Sequence, residues 1–346
     1  MYSYLLLFAI WTVLCFVFDF TKNNRIPFIY FLLCIICFVG FRGSAGIDSP
    51  AYIDFWENNT DTFWNWEGVE KGYNEFGFYY LSVILKSIVA NIDFYFFSVS
   101  ALTIYFLYKA IDYFCVYPFL GFLVYISRFL FFRDMNQMRS AIAIAMIIYS
   151  LKFLVTHKYF RYWIVSLFAF LMHYSVIVAG ISRFFHVKLS FRKMLYVLLF
   201  SFIGGGLIGI IFKPLIVQID SIKLLTYLNV DDLGLKNPMI YFQIVLCLLF
   251  FGFENQISSF QKGYNIIRNA YLFSTVTLLL TANLGIIGGR LATIFATCEI
   301  FIVPALARII SPKLLGYILA VVMLTMIFYL NYRRMLLDYD RWYYLF

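Results

Sequence analysis

Apolar runs separated by short polar links fill the chain, at residues 2–20, 27–41, 76–90, 94–111, 114–132, 140–155, 162–182, 194–212, 239–253, 266–283, 291–307 and 314–332. Each approaches the length an α-helix needs to cross ~30 Å of hydrocarbon. The runs are continuous rather than alternating, which excludes a membrane barrel. The pattern predicts an all-α polytopic membrane protein of about 11–12 helical segments, organised as a single transmembrane domain over residues 1–346. No stretch between the runs is long enough for a separate soluble domain. The first run lacks a basic lead and a small-residue cleavage site, so it reads as a retained span rather than a signal peptide.

Charge orients the segments. The link at 22–25 carries Lys22 and Arg25, and the link at 183–193 carries Arg183, Lys188, Arg192 and Lys193 with no acid, which places both in the cytoplasm. Loops 42–75 and 213–238 then face outward. Full crossings by every segment would bring either Lys158 and Arg161 or Arg139 to the wrong side. The sequence therefore predicts that 76–90 does not cross fully and that 162–182 is broken near His173. Composition agrees with the membrane reading, with 63% hydrophobic and 13% charged residues against roughly 45–50% and 25% in soluble domains.

Loop 42–75 differs from everything around it. It holds two basic residues, Arg42 and Lys71, against seven acids, Asp48, Asp54, Glu57, Asp61, Glu67, Glu70 and Glu75, in a chain of net charge +9. Gly43, Gly46 and Pro50 predict tight turns that hold Arg42 and Asp48 together at one membrane surface. Trp56, Trp64 and Trp66 suit a loop resting on lipid headgroups.

Ionisable groups in or beside spans are costly and are candidates for function. Here they are Arg42, Asp48, Glu70, Arg128, Arg133, Arg139, His173, Arg290 and Glu299. The excess of arginine points to an anionic ligand, because guanidinium binds phosphate oxygens in a fork and stays charged when desolvated. Plainer readings stand beside this one. Arg128 and Arg133 fit snorkelling side chains, Glu299 a structural ion pair, His173 a hydrogen-bonded core histidine, and Arg290 an interfacial anchor. His157 and His186 read as solvated, and Gly204, Gly205, Gly206 and Gly209 as helix-packing positions. All six cysteines lie in or beside apolar runs and read as packing residues, Cys34 and Cys37 included. Asp338-Tyr339-Asp340 has the spacing of a metal-binding D-x-D, but stands in a tail. No Walker loop, dinucleotide fingerprint, zinc-protease helix or serine elbow occurs.

Arg42-Gly43 with Gly46-x-Asp48 and Tyr52, Glu70-x-Gly72-Tyr73, Gln137-Met138-Arg139-Ser140-Ala141, the Lys158 link and Ala169-x-x-x-His173-Tyr174-Ser175 follow in order. Together they resemble the EpsG-type exopolysaccharide polymerase family, akin to Wzy O-antigen polymerases. The resemblance covers residues 2–182 and returns at Gly289-Arg290. It departs at Ser140, where the family often has glutamine. The resemblance implies a GT-C-like membrane glycosyltransferase of the bacterial inner membrane with its site facing the periplasm or exterior. Donor and acceptor would both be oligosaccharides on polyprenyl pyrophosphate, and the product an O-antigen, capsule or exopolysaccharide. It implies no cofactor, metal or nucleic acid, and as partners membrane lipid and a chain-length regulator protein. On this reading His173 is the base, with Asp48 as the second choice, and Glu70 orients sugar hydroxyls. Arg42, Arg139, Arg290 and Arg133 would hold pyrophosphate, the first three converging on one cavity. A flippase for lipid-linked sugars and an O-antigen ligase are the alternatives. A flippase would usually show internal two-fold repeats, and none is found.

Overall fold

The structure is a computed structural model that describes residues 2–21, 24–65, 75–217, 234–284 and 286–337. Helix is the only regular secondary structure among these residues. In chain order the helices are α1 (Tyr2–Phe18), α2 (Arg25–Gly40), α3 (Ser49–Asn58), α4 (Phe76–Ile88), α5 (Ile92–Phe114), α6 (Pro118–Tyr125), a π-helical turn (Ile126–Leu130), α7 (Phe131–Arg133), α8 (Met138–Val155) and α9 (Tyr159–Met172). There follow a 3₁₀ helix (Tyr174–Phe184), α10 (Phe191–Val217), a 3₁₀ turn (Gly234–Lys236), α11 (Pro238–Gly252), α12 (Glu254–Ile257), α13 (Tyr264–Leu280), α14 (Ile286–Ala296), α15 (Glu299–Ile309) and α16 (Lys313–Leu337).

Among the described residues four helices are long and apolar enough to cross a membrane. A fifth span results if Gly289–Ala296 and Glu299–Ile309, bent by 47°, count as one broken crossing. This is a polytopic helical membrane protein with fewer full-length spans than its apolar runs suggest. Several runs form helices of 10–17 residues instead. The expected loop 213–238 is also shorter at its start, since α10 continues through Lys213 to Val217, and residues 218–233 lie outside the described residues.

The chain divides into two compact units, Met1–Ile177 with Val303–Phe346, and Val178–Ile302. In the first unit α8 is the most enclosed span, 72% buried over its apolar window. Its alanines at 141, 143 and 145 let α5 and α9 approach it closely. Asp19, just beyond α1, closes the start of α6. It accepts the amides of Phe119 and Leu120 at 2.9 and 2.8 Å and the Tyr317 hydroxyl at 2.6 Å. A carboxylate there satisfies orphan donors and faces the positive end of the helix dipole, so one side chain ties α1, α6 and α16 together.

The loop after α2 carries a helix, α3, whose aromatic face packs on α4 and α5, while Phe63 and Trp64 beyond it are exposed. Tyr52, Phe55 and Trp56 recur at helical spacing on α3 and pack on Phe78, Tyr79 and Val83 of α4 and on Tyr95, Phe96 and Val99 of α5. Trp56 stacks on Tyr95 with ring centroids 4.4 Å apart. Trp56 is therefore a core residue, contrary to the interfacial expectation, because the helical period gathers the aromatic face on one side. Trp64 is exposed, and Trp66 lies outside the described residues. Lys86 on α4 donates to the carbonyls of Trp56, Glu57 and Thr60, which satisfies the C-terminal end of α3.

Two breaks shape the functional region. α4 has 13 residues, which at 1.5 Å each reach about 20 Å, short of a bilayer core. α9 stops after 14 residues at His173, whose φ −160° and ψ 118° are extended, before the 3₁₀ helix begins. The start of α4 and the end of α9 meet at Gly77, where a Cβ would lie 2.7–2.8 Å from Leu171 atoms. Only glycine permits that approach.

In the second unit Gly204 and Gly205 of α10 pack against the end of α13, whereas Gly206 faces open space. A Cβ on Gly205 would strike the Leu279 carbonyl at 2.1 Å, and Asn283 donates to the Gly205 carbonyl at 3.0 Å. On α13, Ser274 donates to the Ala292 carbonyl at 2.7 Å, and Asn269 donates to the carbonyls of Phe185 and Val187 at 2.8 and 2.7 Å.

Candidate functional site

Glu75 precedes α4 and makes no side-chain cap to its own helix. Its carboxylate turns instead to two other elements. Oε2 accepts Nη1 of Arg139, in the first turn of α8, at 2.6 Å, and Oε1 lies 3.0 Å from Nδ1 of His173, at the end of α9. The three side chains are 9%, 25% and 18% exposed respectively, so the cluster is largely but not wholly buried. Burial acts to raise the Glu75 carboxyl. The His173 hydrogen bond and the Arg139 charge outweigh it and hold the group below the usual carboxylate range.

The cluster continues onto α3. Tyr52 is buried, which pushes its phenol up, while the neighbouring Arg139 guanidinium pulls the other way and Asp48 pushes with burial. Asp48 stands just before α3, half-buried and one helical turn from Tyr52. Three expected residues, Asp48, Arg139 and His173, thus belong to one neighbourhood built from the starts of α3, α4 and α8 and the end of α9. Among the described residues the Nε2 atom of His173 makes no hydrogen bond, whereas Nδ1 is engaged. This arrangement can hold an imidazole in a fixed orientation beside a guanidinium, which is what proton abstraction next to a developing negative charge requires.

Arg42 and Arg133 are placed differently. Arg42 is 1% exposed, donates to the Asp134 carbonyl at 2.8 Å and the Ser49 hydroxyl at 3.2 Å, and lies 4.0 Å over the Phe96 ring. Gly46, at φ 111° and against the Met135 carbonyl, lets the chain turn tightly above it. Arg42 anchors the loop to the turn after α7. Arg133 is also buried, its guanidinium 4.1 Å over Phe129 and its charge acting on Asp134. Arg290 belongs to the second unit, exposed on α14. Glu299, in that same unit, accepts the Tyr271 hydroxyl at 3.1 Å. Glu70, and the Asp338-Tyr339-Asp340 tail, lie outside the described residues. Among the described residues no three His, Cys, Asp or Glu side chains gather as metal ligands would.

Sequence reasoning missed Glu75 as a site residue, counting it only as the last acid of the loop. Its position, directly before an apolar run too short to cross, was the available signal. It also missed Arg268, a buried arginine of α13 paired with Glu254 at 3.2 Å.

Comparison with known families decides the wider context. The family model described as EpsG matches residues 24–344, nearly the whole chain. The chain belongs to the EpsG family. Membership suggests an exopolysaccharide polymerase-type role and places the protein in polysaccharide biosynthesis. No curated protein and no solved structure matches the chain. In this EpsG-family chain the partly exposed Glu75–Arg139–His173 cluster lies at a break between helices.

Proposed function

We propose that this protein is a membrane glycosyltransferase that polymerises lipid-linked repeat units. It transfers a growing glycan from polyprenyl pyrophosphate to a second polyprenyl-pyrophosphate-linked oligosaccharide at the outer face of the bacterial inner membrane. The observation that carries this reading is the Glu75–His173–Arg139 cluster in an EpsG-family chain. His173 takes the proton of the attacking sugar hydroxyl as the new glycosidic bond forms. The bond between the donor's anomeric carbon and its phosphate oxygen breaks, and polyprenyl pyrophosphate departs with the electron pair. Arg139 supplies fixed positive charge beside that departing anion. Asp48 and Tyr52 border the same space and are suited to orienting sugar hydroxyls.

Such a substrate needs an apolar enclosure for its lipid and polar groups where the helices end, and short or broken helices provide irregular backbone only where protein lines it. The test is reconstitution of the full-length protein in vesicles with a polyprenyl-pyrophosphate-linked repeat unit. A ladder of products spaced by one repeat, formed without nucleotide sugar or divalent metal, is the expected result. Movement of intact lipid-linked units across the bilayer without any elongation would instead identify a flippase.

A further inference from the structure

We infer that Glu75 is the positioning residue for His173, fixing which imidazole nitrogen acts on substrate. The inference rests on the reading of His173 as the base. Three observations support it. Glu75 lies 3.0 Å from Nδ1 of His173. Its second oxygen is held by Arg139 at 2.6 Å, so the carboxylate cannot swing away without losing a charge-assisted bond. His173 is held where α9 gives way to the 3₁₀ helix, with Nε2 unbonded among the described residues.

An ionised carboxylate only accepts, so the proton of neutral His173 must reside on Nδ1 and the lone pair on Nε2. Nε2 then receives the proton of the attacking hydroxyl, and the resulting imidazolium is stabilised by Glu75 on its opposite side. Glu75 itself neither gains nor loses a proton. Arg139 does two things at once in this arrangement: it keeps Glu75 ionised and sets its angle. Other charged and titratable groups around the cluster are Tyr52 and Asp48 on the α3 side.

The experiment compares Glu75→Gln, Glu75→Asp, His173→Ala and the double variant Glu75→Gln/His173→Ala in the full-length reconstituted protein. Each is assayed for kcat and KM with a polyprenyl-pyrophosphate-linked repeat unit. ¹⁵N-histidine NMR reports the His173 tautomer, its signal assigned by its loss in His173→Ala. Glu75→Gln should lower kcat by about 10-fold or more, up to the roughly 10²–10⁴-fold that a general base contributes, with KM little changed. The single Nδ1–H tautomer should give way to a mixture. Glu75→Asp, which keeps the charge at shorter reach, should recover part of the loss. The double variant should be no slower than His173→Ala alone, because the two residues act as a unit. An unchanged tautomer and kcat in Glu75→Gln, with His173→Ala impaired, overturns the role of Glu75 alone. Full activity of His173→Ala overturns the base assignment and this inference with it.

Discussion

Two clusters of arginine and carboxylate stand in the first unit, and they differ in what the arginine is bonded to and in how far it is buried. In one, Arg139 meets the Glu75 carboxylate and shares it with His173, and all three side chains retain some exposure. In the other, Arg42 gives its hydrogen bonds to a backbone carbonyl, a serine hydroxyl and the Met138 sulfur under a phenylalanine ring, beside Arg133 and Asp134, and is sealed from solvent. Both would look alike on a list of intramembrane charges. What distinguishes them is where the bonds go. A guanidinium spent on main-chain oxygen, serine and sulfur holds a loop in place, whereas one set against a partly exposed carboxylate–imidazole pair is placed, on the proposed function, to hold reacting groups.

Substitution should break this comparison most sharply at His173. His173→Ala should reduce chain elongation by about 10²–10⁴-fold, the range for loss of a general base, while the melting temperature in detergent stays near that of the parent. Arg139→Lys comes next. It keeps the charge but loses the fork, and the loss of a charge-assisted bond worth about 1.5–3 kcal/mol corresponds to roughly 10–100-fold in turnover. Arg42→Ala should invert the pattern, lowering stability by about 1–3 kcal/mol through the unsatisfied Asp134 carbonyl, with turnover per folded molecule nearly retained. A stable Arg42→Ala protein that cannot elongate chains would place Arg42 with the chemistry after all.

The smallest effects concern pH, and there the two clusters should carry opposite signs. Glu75 has a folded pKa below its ordinary value, so its contribution to stability is in place above about pH 4.3 and is lost as pH falls through the folded value. Asp134 is raised to about 6, first by burial and against the pull of Tyr125, Arg133 and Arg42. Its contribution is therefore complete below about pH 3.9 and lost as pH rises through about 6. Glu75→Gln should flatten the acid side of a plot of Tm against pH, and Asp134→Asn should remove the decline between about pH 4 and 6. Profiles parallel to the parent in both variants would show that the carboxylates do not differ in this way.

Much of this was legible in the sequence, because apolar run length and charge in links are local properties. The membrane class, the EpsG resemblance, the shortness of the segment after Glu75 and the break at His173 could all be read from residue order. So could the packing role of Gly204 and Gly205 in α10, since small residues in an apolar run have few other uses; Gly206, read the same way, meets no neighbour. The direction in which a side chain turns is a different kind of quantity. Nothing near Arg42 in sequence shows that it bends inward to the Asp134 carbonyl 92 residues away, and nothing near Glu75 shows that it meets residues 64 and 98 positions later. Those pairings exist because Gly77 lets α4 abut α9 and because the aromatic face of α3 draws the loop onto α4 and α5. The sequence by itself determined which residues are too polar to be left unpartnered in a membrane protein. Only the tertiary structure decided their partners, since a buried charge takes whichever complementary group packing brings within about 3 Å.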